Sequence, residues 1–356
     1  MYAIRTRNVE QALAQGLAAL ASHGFRTTRR GMDVIEMPVP VATAYTNPRE
    51  RVLFNPIRDA NPFFHFFESL WILAGRNDVA FLAHLLPRMA QYSDDGKTFH
   101  GAYGHRLRHW QAMPDISTSW EHTDIVQNEV DQIKGAITLL KEKPDTRQCV
   151  LSIWNPELDL GTVTNDMPCN DMVILSRGGV GLGDLNMTVC NRSNDAVWGA
   201  YGANAVQFSM LQEYIAAKVG CSVGTYTQMS NNFHVYEDNP YWLEYKTRKN
   251  ELLGYTSYYA QDIVKPYDLF AEDGFDADLT AFFQLFDEVT GTGAAVTPKY
   301  ETQAFNDVVA PMWECLLLYK SGFIKDAWVM TNDIAALDWQ SACAEWLARR
   351  ITKRGL

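Results

Sequence analysis

One of the six cysteines, Cys169, sits in Met167-Pro168-Cys169-Asn170, with Asn165, Asp166 and Asp171 close by. A lone cysteine is most often a small buried hydrophobe. A proline and four polar neighbours are poor packing company and better suited to a thiol that reacts. A reactive thiol needs its thiolate stabilised by positive charge or hydrogen-bond donors. Such a charge is available in Asn191-Arg192-Ser193-Asn194-Asp195, at the end of a run where Leu185, Met187 and Val189 alternate with polar residues. Arg, Ser and Asp within four residues at a strand end can bind an anion and fix a nucleotide. A solvated turn is the plainer reading of the same composition. Glu68 follows Phe64 by four positions and precedes Trp71 by three, which sets its carboxylate beside an apolar stripe. A carboxylate so placed tends toward a raised pKa and suits proton handling; one that snorkels to water does neither.

Other catalytic signatures are absent from the sequence. There is no G-x-S-x-G elbow, no H-E-x-x-H and no G-x-x-x-x-G-K-[ST]. Gly179-Val180-Gly181-Leu182-Gly183 imitates a dinucleotide loop, but its last glycine is misplaced and it lies between two strand-like runs, so it reads as a hairpin. The cysteines are scattered without a CxxC pair, which speaks against a zinc ribbon or a disulfide scaffold and predicts free thiols in a reducing compartment. No metal site is expected.

The elements that must position these residues follow from hydrophobic periodicity. Helices are expected over residues 9–22, 63–74, 124–143 and 203–219, and an extended, proline-punctuated stretch over 32–56. Strands are expected at 149–154, 171–176, 183–191 and 225–229, with a hairpin loop at 177–181. After the small-residue run at 291–295 come two helical patterns, 300–320 and 323–351. The chain of 356 residues is 47% hydrophobic and 21% charged, a globular composition with a large core. Its net charge of -11 argues against binding along a nucleic-acid backbone. A start without an apolar signal core, and no run near the ~20 apolar residues that span a bilayer, predict a soluble cytoplasmic protein without a membrane partner.

Taken together, Glu68-x-x-Trp71, Gly75, Gly101-Ala102-Tyr103-Gly104, Pro144-Asp145-Thr146-Arg147, Ser152-Ile153-Trp154-Asn155, Pro168-Cys169, Arg192-Ser193-x-Asp195, Asn204 and His234-x-Tyr236 fall in the order and near spacing of the thymidylate synthase superfamily. The chain resembles that superfamily over roughly residues 26–240. Its late helices look more like the branch of pyrimidine nucleotide hydroxymethylases, many of them bacteriophage enzymes. The resemblance implies an α+β, thymidylate-synthase-like fold with a central mixed sheet packed with helices. A catalytic domain is expected over 1–270, with a helical C-terminal extension over 271–356.

The resemblance also implies a chemistry. Cys169 matches the thiolate that adds to C6 of the pyrimidine, making C5 nucleophilic toward the one-carbon unit of 5,10-methylenetetrahydrofolate. Glu68 matches the carboxylate that organises water and proton transfers, and Tyr103 the tyrosine near the C5 proton. Arg192 and Ser193 match phosphate ligands, Asp195 a residue facing base and folate, and His234 with Tyr236 the ribose contacts. Arg30 matches a mobile phosphate-binding arginine. The family is a homodimer in which an arginine pair crosses to the partner's phosphate; Arg147 matches the first of that pair, while the second position is Gln148. Asn204 matches the base reader if one extra residue is allowed within positions 199–203. An amide can both donate and accept, which favours uracil, whereas cytosine-specific members carry aspartate. Synthases shield the C5 methylene from water with a tryptophan and a short tail; here Met89 holds the tryptophan position and Tyr92 the neighbouring aromatic. Asn170 replaces the histidine that follows the nucleophile in most synthases. The expected activity is hydroxymethylation of dUMP with reduced folate. Thymidylate synthase, then cytidylate hydroxymethylase, are the alternatives. A catalytically dead nucleotide- or RNA-binding relative is disfavoured by Cys169, Glu68 and Arg192 together.

Overall fold

The computed structural model describes residues 1–111, 129–289 and 299–355. Its strands are β1 (Tyr2–Thr6), β2 (Phe25–Arg29), β3 (Met32–Glu36), β4 (Val41–Tyr45), β5 (Trp110–Gln111), β6 (Glu129–Val130), β7 (Cys149–Ser152), β8 (Asn170–Gly178), β9 (Asp184–Asp195) and β10 (Ser222–Tyr236). The short β5 and β6 pair with each other, and the other eight form one mixed sheet. Its middle is β10, which runs parallel to β9 along its length. On its other edge β10 pairs antiparallel first with β4 and then, through His234, Val235 and Tyr236, with β3. Beyond β9 lie β8 and β7, both antiparallel; β1 adds in parallel outside β4, and β2 outside β3.

The alternation in β9 is that of a strand with one buried face: Leu185, Met187 and Val189 are buried and Asn186, Thr188 and Cys190 are half-exposed. Helices Pro62–Leu73 and Asn204–Val219 lie within the same core as the buried side of the sheet. The first begins at Asn61, whose side chain accepts from the Phe64 N–H, and has Pro62 in its first turn, where a missing N–H is harmless. It is apolar almost all round, so nearly every residue is buried. The outer cover comes from the late helices Phe275–Val289, Ala310–Lys320, Ile324–Met330 and Leu337–Arg354. Phe67 stacks on Phe282 (5.9 Å between centroids), and Phe66 and Phe63 meet Trp339 and Trp346 edge to face. The last helix ends on Asp59, with Arg349 and Arg350 at 3.0 and 2.8 Å. At the far edge of the sheet, Val150, Met172 and Ile174 lie exposed on one face of β7 and β8.

The architecture is the α+β arrangement with a central mixed sheet that the sequence predicts. Several elements differ in extent. β10 has fifteen residues rather than five, because its polar second half is paired on both sides. β9 continues to Asp195, so Arg192, Ser193 and Asp195 belong to a strand and not to a turn. The extended stretch at 32–56 holds β3 and β4 and then leaves the sheet. The pattern at 323–351 is two helices, broken at Thr331–Asp333, where Asn and Asp compete for backbone hydrogen bonds. Of the helix expected over 124–143, Gln132–Glu142 is helical with Asp131 as its cap; residues 124–128, the run at 291–295 and the terminal Leu356 lie outside the described residues. β1, β2 and the helices Tyr103–Arg108, Pro240–Leu253 and Phe275–Val289 escape the sequence reading. No helix among the described residues is long and apolar enough to cross a membrane.

Candidate active site

The loop before β8 presents Cys169 beside the neighbouring strand β9. Arg192 holds this loop: its Nε donates to the Pro168 carbonyl (2.7 Å) and an Nη to the Met167 carbonyl (3.0 Å). The same Nη lies 3.6 Å from the Cys169 sulfur, and the Arg192 backbone N–H donates to the Cys169 carbonyl (3.0 Å). Burial pushes the Cys169 thiol up, Arg192 and Arg30 oppose that shift, and Asp166 and Asp171 reinforce it.

Arg30 arrives from the other side. It and Gly31 form the two-residue loop between β2 and β3, with φ of 50° and 78°. Left-handed φ at both central residues is what a type I′ hairpin requires, and the non-glycine residue bears the strain. The loop sets Arg30 into a cavity of about 300 Å³ lined also by Cys169, Arg192, Ser193, Asp195, His234 and Tyr236. Seven of the residues picked out in the sequence thus share one cavity.

Tyr103 stands behind Cys169. Its phenol accepts from the Asn170 side chain and from the Cys169 backbone N–H, and burial raises its pKa. Two glycines allow that approach. A Cβ on Gly101 would lie 2.5 Å from the Asp166 carbonyl oxygen, and one on Gly104 would lie 2.2 Å from that of Ile72. Glu68 reaches the same region from helix Pro62–Leu73. Burial pushes it up to about 8, against a bond from Gln207, and its Oε2 is buried without a partner. The edge reading of Glu68 is therefore wrong: it is 8% exposed.

Asp195 ends β9. Its Oδ1 accepts from the N–H groups of Val197 (2.9 Å) and Trp198 (2.5 Å), while its Oδ2 is buried without a partner. Burial raises Asp195 and lowers His234, each opposed by the other. From Asp195 the chain enters a π-helical segment, Ala196–Ala203, with Tyr201 and Gly202 off helical geometry. A π-bulge is one inserted residue in a helix, and it falls where the spacing to Asn204 calls for one extra position. Asn204 then opens the next helix, buried, its Oδ1 accepting from Asn170 at 3.4 Å.

The remaining residues stand further off. Met89 is half-buried and Tyr92 is 41% exposed on the 3-10 turn Pro87–Tyr92; neither lines the cavity. Their neighbour Arg88 lies 5.3 Å from the ring of Trp198, whose other neighbour is Arg58 at 4.7 Å. Arg147 is exposed and lies outside the cavity of its own chain. The sequence reading misses Asp166, pushed up to about 6 by burial, along with Gln207, Trp198, Asn194 and Gln228. Asn194 carries a signal by its place between Ser193 and Asp195, and Asp166 by its place beside the Cys169 segment; Gln207, Trp198 and Gln228 carry none. Among the described residues no group of His, Cys, Asp and Glu is arranged to hold a metal ion.

The family model described as Thymidylate synthase matches residues 58–252. A deoxyuridylate hydroxymethyltransferase of Pseudomonas phage M6 is 41% identical over 98% of this chain and 95% of its own. A protein of the same name from Bacillus phage SP01 is 38% identical over 67% of this chain and 60% of its own.

Proposed function

Because the chain belongs to the thymidylate synthase family, we propose that its cavity binds dUMP and that it is a folate-dependent deoxyuridylate hydroxymethyltransferase. The overall reaction is dUMP, 5,10-methylenetetrahydrofolate and water to 5-hydroxymethyl-dUMP and tetrahydrofolate. The observation that carries it is the contact between Arg192 and the Cys169 sulfur on the wall of a cavity that also holds Ser193, His234 and Tyr236. Arg192, Ser193 and Arg30 supply donors for a phosphate, and His234 and Tyr236 suit ribose hydroxyls. Cys169 Sγ adds to C6 of the base, and the electrons it brings raise the nucleophilicity of C5. Asn204 reads the edge of the ring. Tyr103, held by Asn170, stands behind the thiol where the C5 proton leaves, and Glu68, pushed up to about 8 by burial, relays protons through water.

The cavity's edge suits a reduced folate. The unpartnered Asp195 Oδ2 can accept from a pterin N–H, the half-exposed Trp198 offers an aromatic face, and the exposed Arg88 beside it suits an anionic tail. When bound, 5,10-methylenetetrahydrofolate supplies the one-carbon unit. Met89 and Tyr92, where synthases shield the C5 methylene, leave water access, and Glu68 is the base for that water. The exposed Val150, Met172 and Ile174 next to Arg147 suit burial against a second copy, from which Arg147 reaches the partner's phosphate. Residues 1–270 form the catalytic unit of this reading and 271–356 a helical brace against helix Pro62–Leu73.

Mass spectrometry of the products from dUMP and from dCMP tests the proposal. The expected product comes from dUMP and weighs one oxygen more than dTMP, without dihydrofolate. Equal amounts of dTMP and dihydrofolate would make the chain a thymidylate synthase, the reading favoured by the family model's own description.

A further inference from the structure

A run of buried side-chain amides leads to Asn204, and its polarity is dictated from one end. Gln228 Nε2 donates to the Ala200 backbone carbonyl at 2.8 Å. That carbonyl carries no hydrogen, so Gln228 must turn its nitrogen toward it and its oxygen away. Gln228 Oε1 accepts from Asn194 Nδ2 (3.1 Å), and Asn194 Oδ1 in turn accepts from Asn204 Nδ2 (3.1 Å). On the far side, Asn204 Oδ1 accepts from Asn170 (3.4 Å). All four amides are buried, Asn204 being the most accessible at 7%. Amide orientation is ordinarily a choice between two near-equal fits; here one backbone carbonyl decides it for three amides in succession.

The decision bears on the base. An asparagine amide has two hydrogens and two acceptor sites. With one of each engaged by Asn194 and Asn170, Asn204 keeps one donor and one acceptor side by side. Uracil offers O4 as acceptor next to N3–H as donor; cytosine offers a 4-amino donor next to N3 as acceptor. Turning the amide by half a turn exchanges its nitrogen and oxygen, and with them the base that it matches. Asparagine alone is therefore not selective; an asparagine that cannot turn is. Resting on the assignment of Asn204 as base reader, we infer that Asn194 and Gln228 are specificity-determining positioning residues, which exclude cytosine by locking the Asn204 amide in its uracil-reading orientation. Gly199 makes room for the lock, since a Cβ there would lie 2.7 Å from Asn194 Oδ1.

The test compares kcat/KM for dUMP and dCMP in three variants. Asn194→Leu removes the acceptor that holds Asn204. Gln228→Met leaves Asn194 facing the Ser230 hydroxyl, which donates or accepts equally well. Asn194→Asp keeps an acceptor toward Asn204 and so keeps its orientation. The dUMP-to-dCMP ratio should fall about tenfold or more in Asn194→Leu and Gln228→Met, with dCMP use rising in absolute terms, and stay near wild type in Asn194→Asp. Folding is checked by thermal melts, and either of the first two variants carries the test if the other does not fold. A merely structural role would lower both substrates together; an unchanged ratio in a folded Asn194→Leu or Gln228→Met protein overturns the inference. Asn204→Asp separates this from the underlying reading. If it leaves the ratio unmoved, Asn204 is not the base reader and both fall; if it moves the ratio while the lock variants do not, only the lock falls.

Discussion

Arg192 and Cys169 are joined twice: the guanidinium that approaches the sulfur to 3.6 Å also clamps the two carbonyls before it, at Met167 and Pro168. The charge and the loop that carries the thiol therefore move as one piece. Cys169→Ala should abolish turnover while dUMP binding, followed calorimetrically, stays within a few-fold of wild type. Arg192→Lys should slow both turnover and alkylation of Cys169, because an ammonium cannot hold two carbonyls and face a sulfur at once. Full activity without the thiol would end the covalent mechanism.

Glu68 gives a pH signature. Its native pKa of about 8 lies above the value of a carboxylate in the unfolded chain. Between those values the native state holds a proton that the unfolded chain has released, so stability falls as pH rises through that window. Glu68→Gln removes this slope. It should leave the melting temperature near pH 4–5 unchanged and raise stability at pH 8 by on the order of 1–3 kcal/mol, at the expense of activity. Buried Glu10, also pushed up to about 8, keeps its own slope in both proteins. Superimposable melting curves across pH would show that Glu68 is charged in the native state.

Met89 bears on the product. Hydride delivery needs close alignment over the C5 methylene, while water needs only access and a base. Met89→Trp should produce a trace of dTMP from dUMP beside the hydroxymethyl product, detectable by mass. No dTMP at all would mean that the shield depends on other residues.

The two glycines of the Tyr103 segment can be set against a third. Gly104→Ala drives a Cβ into the Ile72 backbone and should cost on the order of 1–3 kcal/mol, with a matching loss of kcat. Gly135, inside helix Gln132–Glu142 with nothing near its Cβ position, should tolerate alanine and gain about 0.5–1 kcal/mol. Thermal melts read both.

Arg147 is tested by mixing. Cys169→Ala and Arg147→Ala subunits, each impaired alone, should regain part of the activity when combined, because one site in the mixed dimer has both residues. Purely additive activity would mean that Arg147 serves no partner.

Much of this was legible in the sequence where residue type and surroundings disagreed. Cys169 among polar residues, Glu68 against an apolar stripe and Arg192 at a strand end all pointed to chemistry, and the structure gathers Cys169 and Arg192 at one cavity with Glu68 in the core near them. Helix Pro62–Leu73 was readable from its dense run of apolar residues, buried almost all round, and β9 from the period-two alternation of its buried face. Gln228 and Gln207 were not, since a glutamine looks the same on a surface as in a core; only the pairing of β10 and the packing of helix Asn204–Val219 bury them. The second half of β10 was hidden for the related reason that its polar residues face a cavity. The extra residue before Asn204 was visible only as a mismatch in spacing, and the π-helical turn gives it a physical form.

The position of β10 at the centre of the sheet has a consequence for how the protein is made. Val41 must find Ser230, and Tyr45 must find Tyr226, partners translated long after them. Until residue 236 has left the ribosome, β3, β4 and β9 have no common neighbour, and their edges are open to wrong pairing. Synthesis therefore runs through most of the chain before the sheet closes, a high contact order that makes folding slow. Yield in a recombinant host should accordingly respond to translation speed, temperature and chaperone supply more than to the stability of the finished fold.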